Sequence, residues 1–121
     1  MEVIPARTAA VMEEAFRRMF RRYVHTALEH REAFLFVEQY HLSPVIAEEG
    51  RIEEDFRLGA KRLTELGREG RLQPLDPLIL DSIVLGTLNR LLCLHFAGYL
   101  MLDRGVLEAA LSACWRAISL E

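Results

Sequence analysis

The stretch Leu78–Leu102, LILDSIVLGTLNRLLCLHFAGYLML, constrains this chain more than any other. Across its 25 residues only Asp81, Arg90 and His95 can carry charge, and it contains no proline. On a helix its apolar residues fall on every side, and a helix that is apolar all round must be covered all round. The rest of the chain can cover one side. A second copy is the expected cover for the other, so the run predicts a helical protein that dimerises through its C-terminal half. The run is also long enough to span a bilayer. Asp81, Asn89, Arg90 and His95 are spread along it, however, and such groups are expensive in lipid. The expectation is therefore no membrane partner.

Breakers divide the 121 residues into helical blocks, and no segment alternates with period 2 as a strand would. Pro5 suits the first turn of a helix running to about Glu29. Its stripe is Ala9, Met12, Phe16, Met19, Tyr23 and Ala27, widened by Phe20, Val24 and Leu28. A second helix is expected over about Arg31 to His41. Ser43-Pro44 signals a short third helix ending near Gly50. A fourth runs over about Arg51 to Glu69, with Gly70 as its stop. Asp76-Pro77 opens the long apolar helix, and Asp103 caps a last one over about Arg104 to Leu120. The whole is one all-α domain, residues 1–121, of about six helices.

The last helix carries Ala109, Ala113 and Ala117 at i, i+4, i+8, and the long one carries Gly86 and Gly98. Rows of small residues let another helix come close. The candidate dimer interface is Leu85, Gly86, Asn89, Leu92, Cys93, Ala109, Ala113, Trp115 and Ala117, forming a four-helix contact between two chains. The same small residues also suit packing inside one monomer. Cys93 and Cys114 read as buried free thiols of a reducing cytosol, with a disulfide as the alternative.

Charge excludes some functions. With 15 basic and 18 acidic residues, a nucleic-acid surface is not the main business of the chain. Arg17, Arg18, Arg21 and Arg22 cluster on the first helix, where Glu13–Arg17 and Glu14–Arg18 pair at i, i+4 on a solvated face. A phosphate or anionic-effector contact is the other reading. No signal peptide opens the chain, so it reads as cytoplasmic. Fourteen arginines against Lys61 alone point to a bacterial source.

Catalytic chemistry has little support. Glu38-x-x-His41 has the spacing of di-metal bundles, which need a second such pair and two more carboxylates. No second pair is present, and neither metal nor cofactor is expected. No nucleophile–base pair or phosphate-binding glycine loop is evident, so the chain does not read as an enzyme. His95 stands apart inside the apolar run and needs a buried partner.

Residues 67 to 100, GREGRLQPLDPLILDSIVLGTLNRLLCLHFAGYL, resemble the C-terminal domain of TetR-family transcriptional regulators. The matching features are Gly70, Leu72 and Pro74 in a "G-x-L-x-P" link, then Gly86 and Leu88 in a "G-x-L" step. Residues 30 to 44, HREAFLFVEQYHLSP, resemble the family's helix beside the pocket. The resemblance implies an all-helical domain that pairs through its last two helices. It also implies an interior pocket for a small, apolar effector. From the resemblance, the candidate ligand residues are Phe16, Phe20, Tyr23, Phe56, His95, Phe96 and Tyr99, between the first, fourth and fifth helices. The family carries a three-helix DNA-binding head before this domain. Only MEVI precedes the first helix signal here, so the expectation is no head and no nucleic-acid contact by these residues. The rival reading is a homodimeric helical module without a small-molecule site.

Overall fold

The computed structural model describes residues 6–40 and 72–120. The expected helices over about 43–50 and 51–69, with Phe56, lie outside the described residues. Four helices are described: α1 (Ala6–Glu29), α2 (Arg31–Tyr40), α3 (Pro77–Phe96) and α4 (Arg104–Ile118). No strand occurs among the described residues, apart from one isolated antiparallel bridge between Leu72 and Ser119. That bridge ties the entry to α3 against the exit of α4, and the Gln73 N–H donates to the Ile118 carbonyl at 2.7 Å. With a short turn joining their other ends, α3 and α4 form an antiparallel pair.

Local chemistry explains the helix ends. The Asp76 carboxylate accepts the Leu78 N–H at 2.8 Å with Pro77 at the first position of α3, and the Asp103 carboxylate accepts the Val106 N–H at 2.9 Å. The apolar run is not one helix to Leu102, as the sequence predicts. It stops at Phe96, because Gly98 adopts φ +87° and turns the chain. Glycine enters that left-handed region without a Cβ penalty. The His95 imidazole Nδ1 then accepts the Leu102 N–H at 3.0 Å. Gly98 is thus a turn residue and not part of a close-packing helix face.

The core is built on Met12, Phe16, Phe20, Val24 and Ala27 of α1. Relative to the expected stripe, the buried centre is rotated toward Phe20 and Val24, and Met19 and Tyr23 lie at its margin. The reason is that α1 packs against both α3 and α4. Phe16 is fully buried, with its ring 5.1 Å from Trp115 and 5.0 Å from Phe20. From α3 the core takes Leu80, Val84, Leu88 and Leu92, and from α4 Leu107, Leu111, Cys114, Trp115 and Ile118. Trp115 and Leu92, expected between two copies, are sealed inside the monomer. By length and composition α3 could cross a membrane, yet one face of it is core.

Two arginines fasten α1 to α4. The Arg21 Nε donates to Glu108 Oε1 at 2.7 Å, and Arg17 reaches Glu108 Oε2 at 3.1 Å and Ser112 Oγ at 2.6 Å. Arg17 also pairs with Glu13 at 3.0 Å, as expected, but Glu14 lies nearer Arg21 than Arg18. The Arg21 guanidinium holds the Glu108 carboxyl below its ordinary pKa. Arg18 and Arg22 are exposed.

Truncating Phe16 to Ala removes the ring at the centre of this core and is expected to cost about 3–5 kcal/mol in urea unfolding. Glu108→Gln is expected to cost about 1 kcal/mol at neutral pH and low salt. Because the folded-state pKa of Glu108 is depressed, that difference is present above the unfolded value. It shrinks as pH falls through the folded pKa.

Candidate functional site: a groove between α1, α2 and α3

A groove of about 650 Å³ opens between α1, α2 and α3. Its wall on α3 repeats at helical spacing: Asp81, Leu85, Asn89 and Cys93 at i, i+4, with Gly86 and Arg90 beside them. Tyr23 contributes from α1, and Phe34 and Glu38 from α2. A Cβ at Gly86 would meet nothing within 4 Å, so the glycine leaves open space in the groove wall.

Among the described residues of this wall Asp81 is buried, Tyr23, Glu38 and Asn89 are half-buried, and Ser82 and Arg90 are exposed. The Tyr23 hydroxyl donates to Asn89 Oδ1 across the groove. Burial, and then the charge of Glu38, push the Tyr23 phenol up to about 12. Asp81 is only 4% exposed, and it has no hydrogen-bond or ion-pair partner among the described residues. Burial pushes its carboxyl up to about 6. Glu38 presents a buried Oε1 that likewise lacks a hydrogen-bond partner. Burial also raises the thiols of Cys93 and Cys114, which are free and not bridged. Raised thiol pKa values leave little thiolate at neutral pH, so neither reads as a nucleophile. Among the described residues there is no group of three or more metal-ligating side chains.

The chain matches the tetracyclin repressor-like, C-terminal domain family model over residues 12–119. It belongs to that family. No curated protein and no solved structure matches it. A tetracyclin repressor-like C-terminal domain is a regulator-associated domain, and the family is generally non-enzymatic.

Within this tetracyclin repressor-like domain, the aromatic set read from the sequence separates into different environments. Tyr23 faces the groove. Phe16 and Phe20 are solid core. Phe96 packs on Phe34 at 5.9 Å and lies under the Arg31 guanidinium, so it supports the groove from behind. His95 spends Nδ1 on the turn after α3. Tyr99 is 82% exposed beyond the end of α3, and is not its i, i+4 helical neighbour. Conversely, Leu85, Gly86, Asn89 and Cys93, expected at the dimer interface, line the groove. The sequence alone does not name Asp81 and Phe34 as site residues, and it brings in Glu38 only for its di-metal spacing with His41. A signal existed for Asp81, as the one acid inside the apolar run.

Asp81 gives the domain a pH signature. Its folded pKa lies above the unfolded value, so the fold favours the neutral acid. No penalty applies below the unfolded value of 3.8, and it grows between about 3.8 and 6. Above that it is full, at roughly 3 kcal/mol for about two pKa units. Asp81→Asn keeps the shape and removes the charge. It is expected to raise stability by about 2–3 kcal/mol at pH 7.5 and by little at pH 4, measured by urea unfolding at both.

Proposed function

We propose that this is the effector-sensing and dimerisation domain of a TetR-like transcriptional regulator acting in the bacterial cytoplasm, with residues 1–121 forming one unit. The carrying observation is the groove bounded by α1, α2 and α3, where apolar surface from Phe34, Val37 and Leu85 meets polar groups from Tyr23, Glu38, Asp81 and Asn89, a composition that suits a small-molecule site. The effector lies there, against Tyr23, Phe34 and the α3 wall. This is one face of α3 away from the position expected from the sequence.

The sensing mechanism follows from the two attachments of α1. On one side Tyr23 meets the groove, and on the other Phe16 and the Arg17–Arg21–Glu108 cluster hold α4. An effector that fits one placement of α1 better than another shifts the population toward it, by no more than its differential affinity. In regulators of this type α1 carries the DNA-binding head, so its placement sets the head's position.

Dimerisation uses what remains of α3 and α4. With the core at Leu80, Val84, Leu88 and Leu92 and the groove at Asp81, Leu85 and Asn89, the third face of α3 is Ile79, Ile83 and Thr87. Thr87 lies close enough to Cys114 to lower the pKa of its thiol, which sets this face beside the neighbouring exposed alanines Ala113 and Ala117 of α4. Ala109 continues the strip. Ile79, Leu75 and Leu120 are large apolar side chains left about half exposed at the same end. A second copy of the chain covers this surface, giving the four-helix contact.

Light scattering at micromolar concentration is expected to give twice the chain mass, and Ala113→Arg is expected to give the monomer with unchanged helicity. A wild-type monomer at that concentration would refute the pairing. For sensing, calorimetric titration with small apolar molecules is expected to show binding that Gly86→Leu abolishes by filling the groove. Trp115 emission should move in the same titrations, since Phe16 links its ring to α1. Binding that persists in Gly86→Leu would place the effector elsewhere.

A further inference from the structure

We propose that the groove is built for an organic cation, an amine on an apolar body, and not for a neutral or anionic molecule. This deepens the effector-sensing reading and rests on it. The argument begins with two acids that no described side chain neutralises. Asp81 is 96% buried on the groove wall of α3; its carboxyl makes no hydrogen bond or ion pair with a described residue, and unlike Glu38 Oε1 its oxygens are not sealed from solvent. Glu38 faces the same space from α2 with its Oε1 buried and unpartnered. A buried carboxyl without a partner is costly, and proteins retain few of them. An ionised carboxylate is an acceptor only, so what satisfies it must bring N–H donors or positive charge.

The remaining groups in the groove fit that assignment. The Tyr23 hydroxyl is already committed to Asn89 Oδ1, leaving a phenol oxygen able to accept a further donor. Among the described residues the one cation lining the wall, Arg90, is exposed and forms an ion pair with neither acid. Its charge stands in water, where screening is strong. Phe34, Val37 and Leu85 supply apolar surface for the rest of the molecule, and Phe34 offers an aromatic ring to a cation. A metal ion is the wrong cation, since no third ligating side chain joins the two acids among the described residues.

Charge also gives the preference a pH dependence. Of the other described titratable groups lining the groove, Tyr23 of α1 is the one that feels the charge of Asp81, whereas the charge of Glu38 of α2 acts on Tyr23 and Cys93, and Arg90 and Cys93 lie two to three turns further along α3. Burial moves the titration of Asp81 up to about 6. Alkyl amines stay protonated across the range in which it ionises. Affinity for an amine therefore rises from pH 5 to pH 7.5, whereas affinity for a matched alcohol does not.

The test compares head groups on constant bodies. Phenylbutyl, naphthylmethyl and decyl compounds, each as amine, alcohol and carboxylate, are titrated calorimetrically into the full chain at pH 7.5 and pH 5. The expected result is an amine preference of about ten-fold or more over the alcohol at pH 7.5. Carboxylates should bind more weakly still. In Asp81→Asn with Glu38→Gln the preference is expected to fall below about three-fold, while alcohol binding is kept. Glu38→Gln alone provides a second reading with a partial loss. Alcohols binding as tightly as amines would overturn the cation assignment and leave effector sensing standing. An amine preference that survives in the double variant would overturn it as well. No binding by any of the nine compounds would overturn both readings together.

Discussion

The rest of the structure depends on how one helix divides its surface. Most side chains of α3 are apolar, yet the monomer core takes only the line from Leu80 through Val84 and Leu88 to Leu92. Two faces are left over. One carries a buried acid, an amide and a thiol at i, i+4 and opens on the groove. The other carries Ile79, Ile83 and Thr87 and continues into the alanine strip of α4. A helix that is apolar all round can serve a core, a ligand and a partner at once only if polar groups sort the faces. Asp81 marks the groove face in this way, and Asn89 is held on it by the Tyr23 hydroxyl.

The position of α1 follows from that division. It lies across α3 and α4, so its buried stripe is turned toward both. Its margin at Tyr23 meets the groove, and its other margin at Arg17 and Arg21 meets Glu108. Packed cores resist small continuous deformation, and a change at one margin is carried as a shift of the whole helix. The ion cluster is up to about a third exposed and therefore weak relative to the Phe16–Trp115 contact. It can be remade at modest cost, which suits a joint that must move.

How much of this was legible in the sequence depended on the kind of signal. Caps were clear, since Asp76-Pro77 and Asp103 act within two or three residues of themselves. The all-α class and the family resemblance were clear for the same reason: periodicity and the order of motifs survive without knowing what packs where. The end of α3 was missed, because Gly98 sits in a run whose hydropathy does not change across it. Backbone conformation, not side-chain polarity, ends the helix there. The aromatic residues could not be sorted, since Phe16 and Tyr23 are seven positions apart on one stripe and differ only in which neighbour they meet. Of the residues expected at the interface on α3, Leu92 is core and Leu85, Gly86, Asn89 and Cys93 line the groove. Low amphipathicity gives no reference direction from which to say which side is core.

The groove's acids are best understood as a cost kept for a purpose. A carboxyl held at 4% exposure with no described partner destabilises the fold across neutral pH. An amide of the same shape would avoid most of that cost. Stability alone therefore gives no reason for an acid at position 81, and local rules of foldability are broken most often where a site must meet something else. The same reasoning covers Gly86, which weakens the middle of α3 by about 1 kcal/mol relative to alanine while leaving its Cβ position empty. Two departures from good helix design, five residues apart and both lining the groove, leave it open and acidic. That coincidence is what a binding surface looks like when it is built into a helix otherwise fit only for a core.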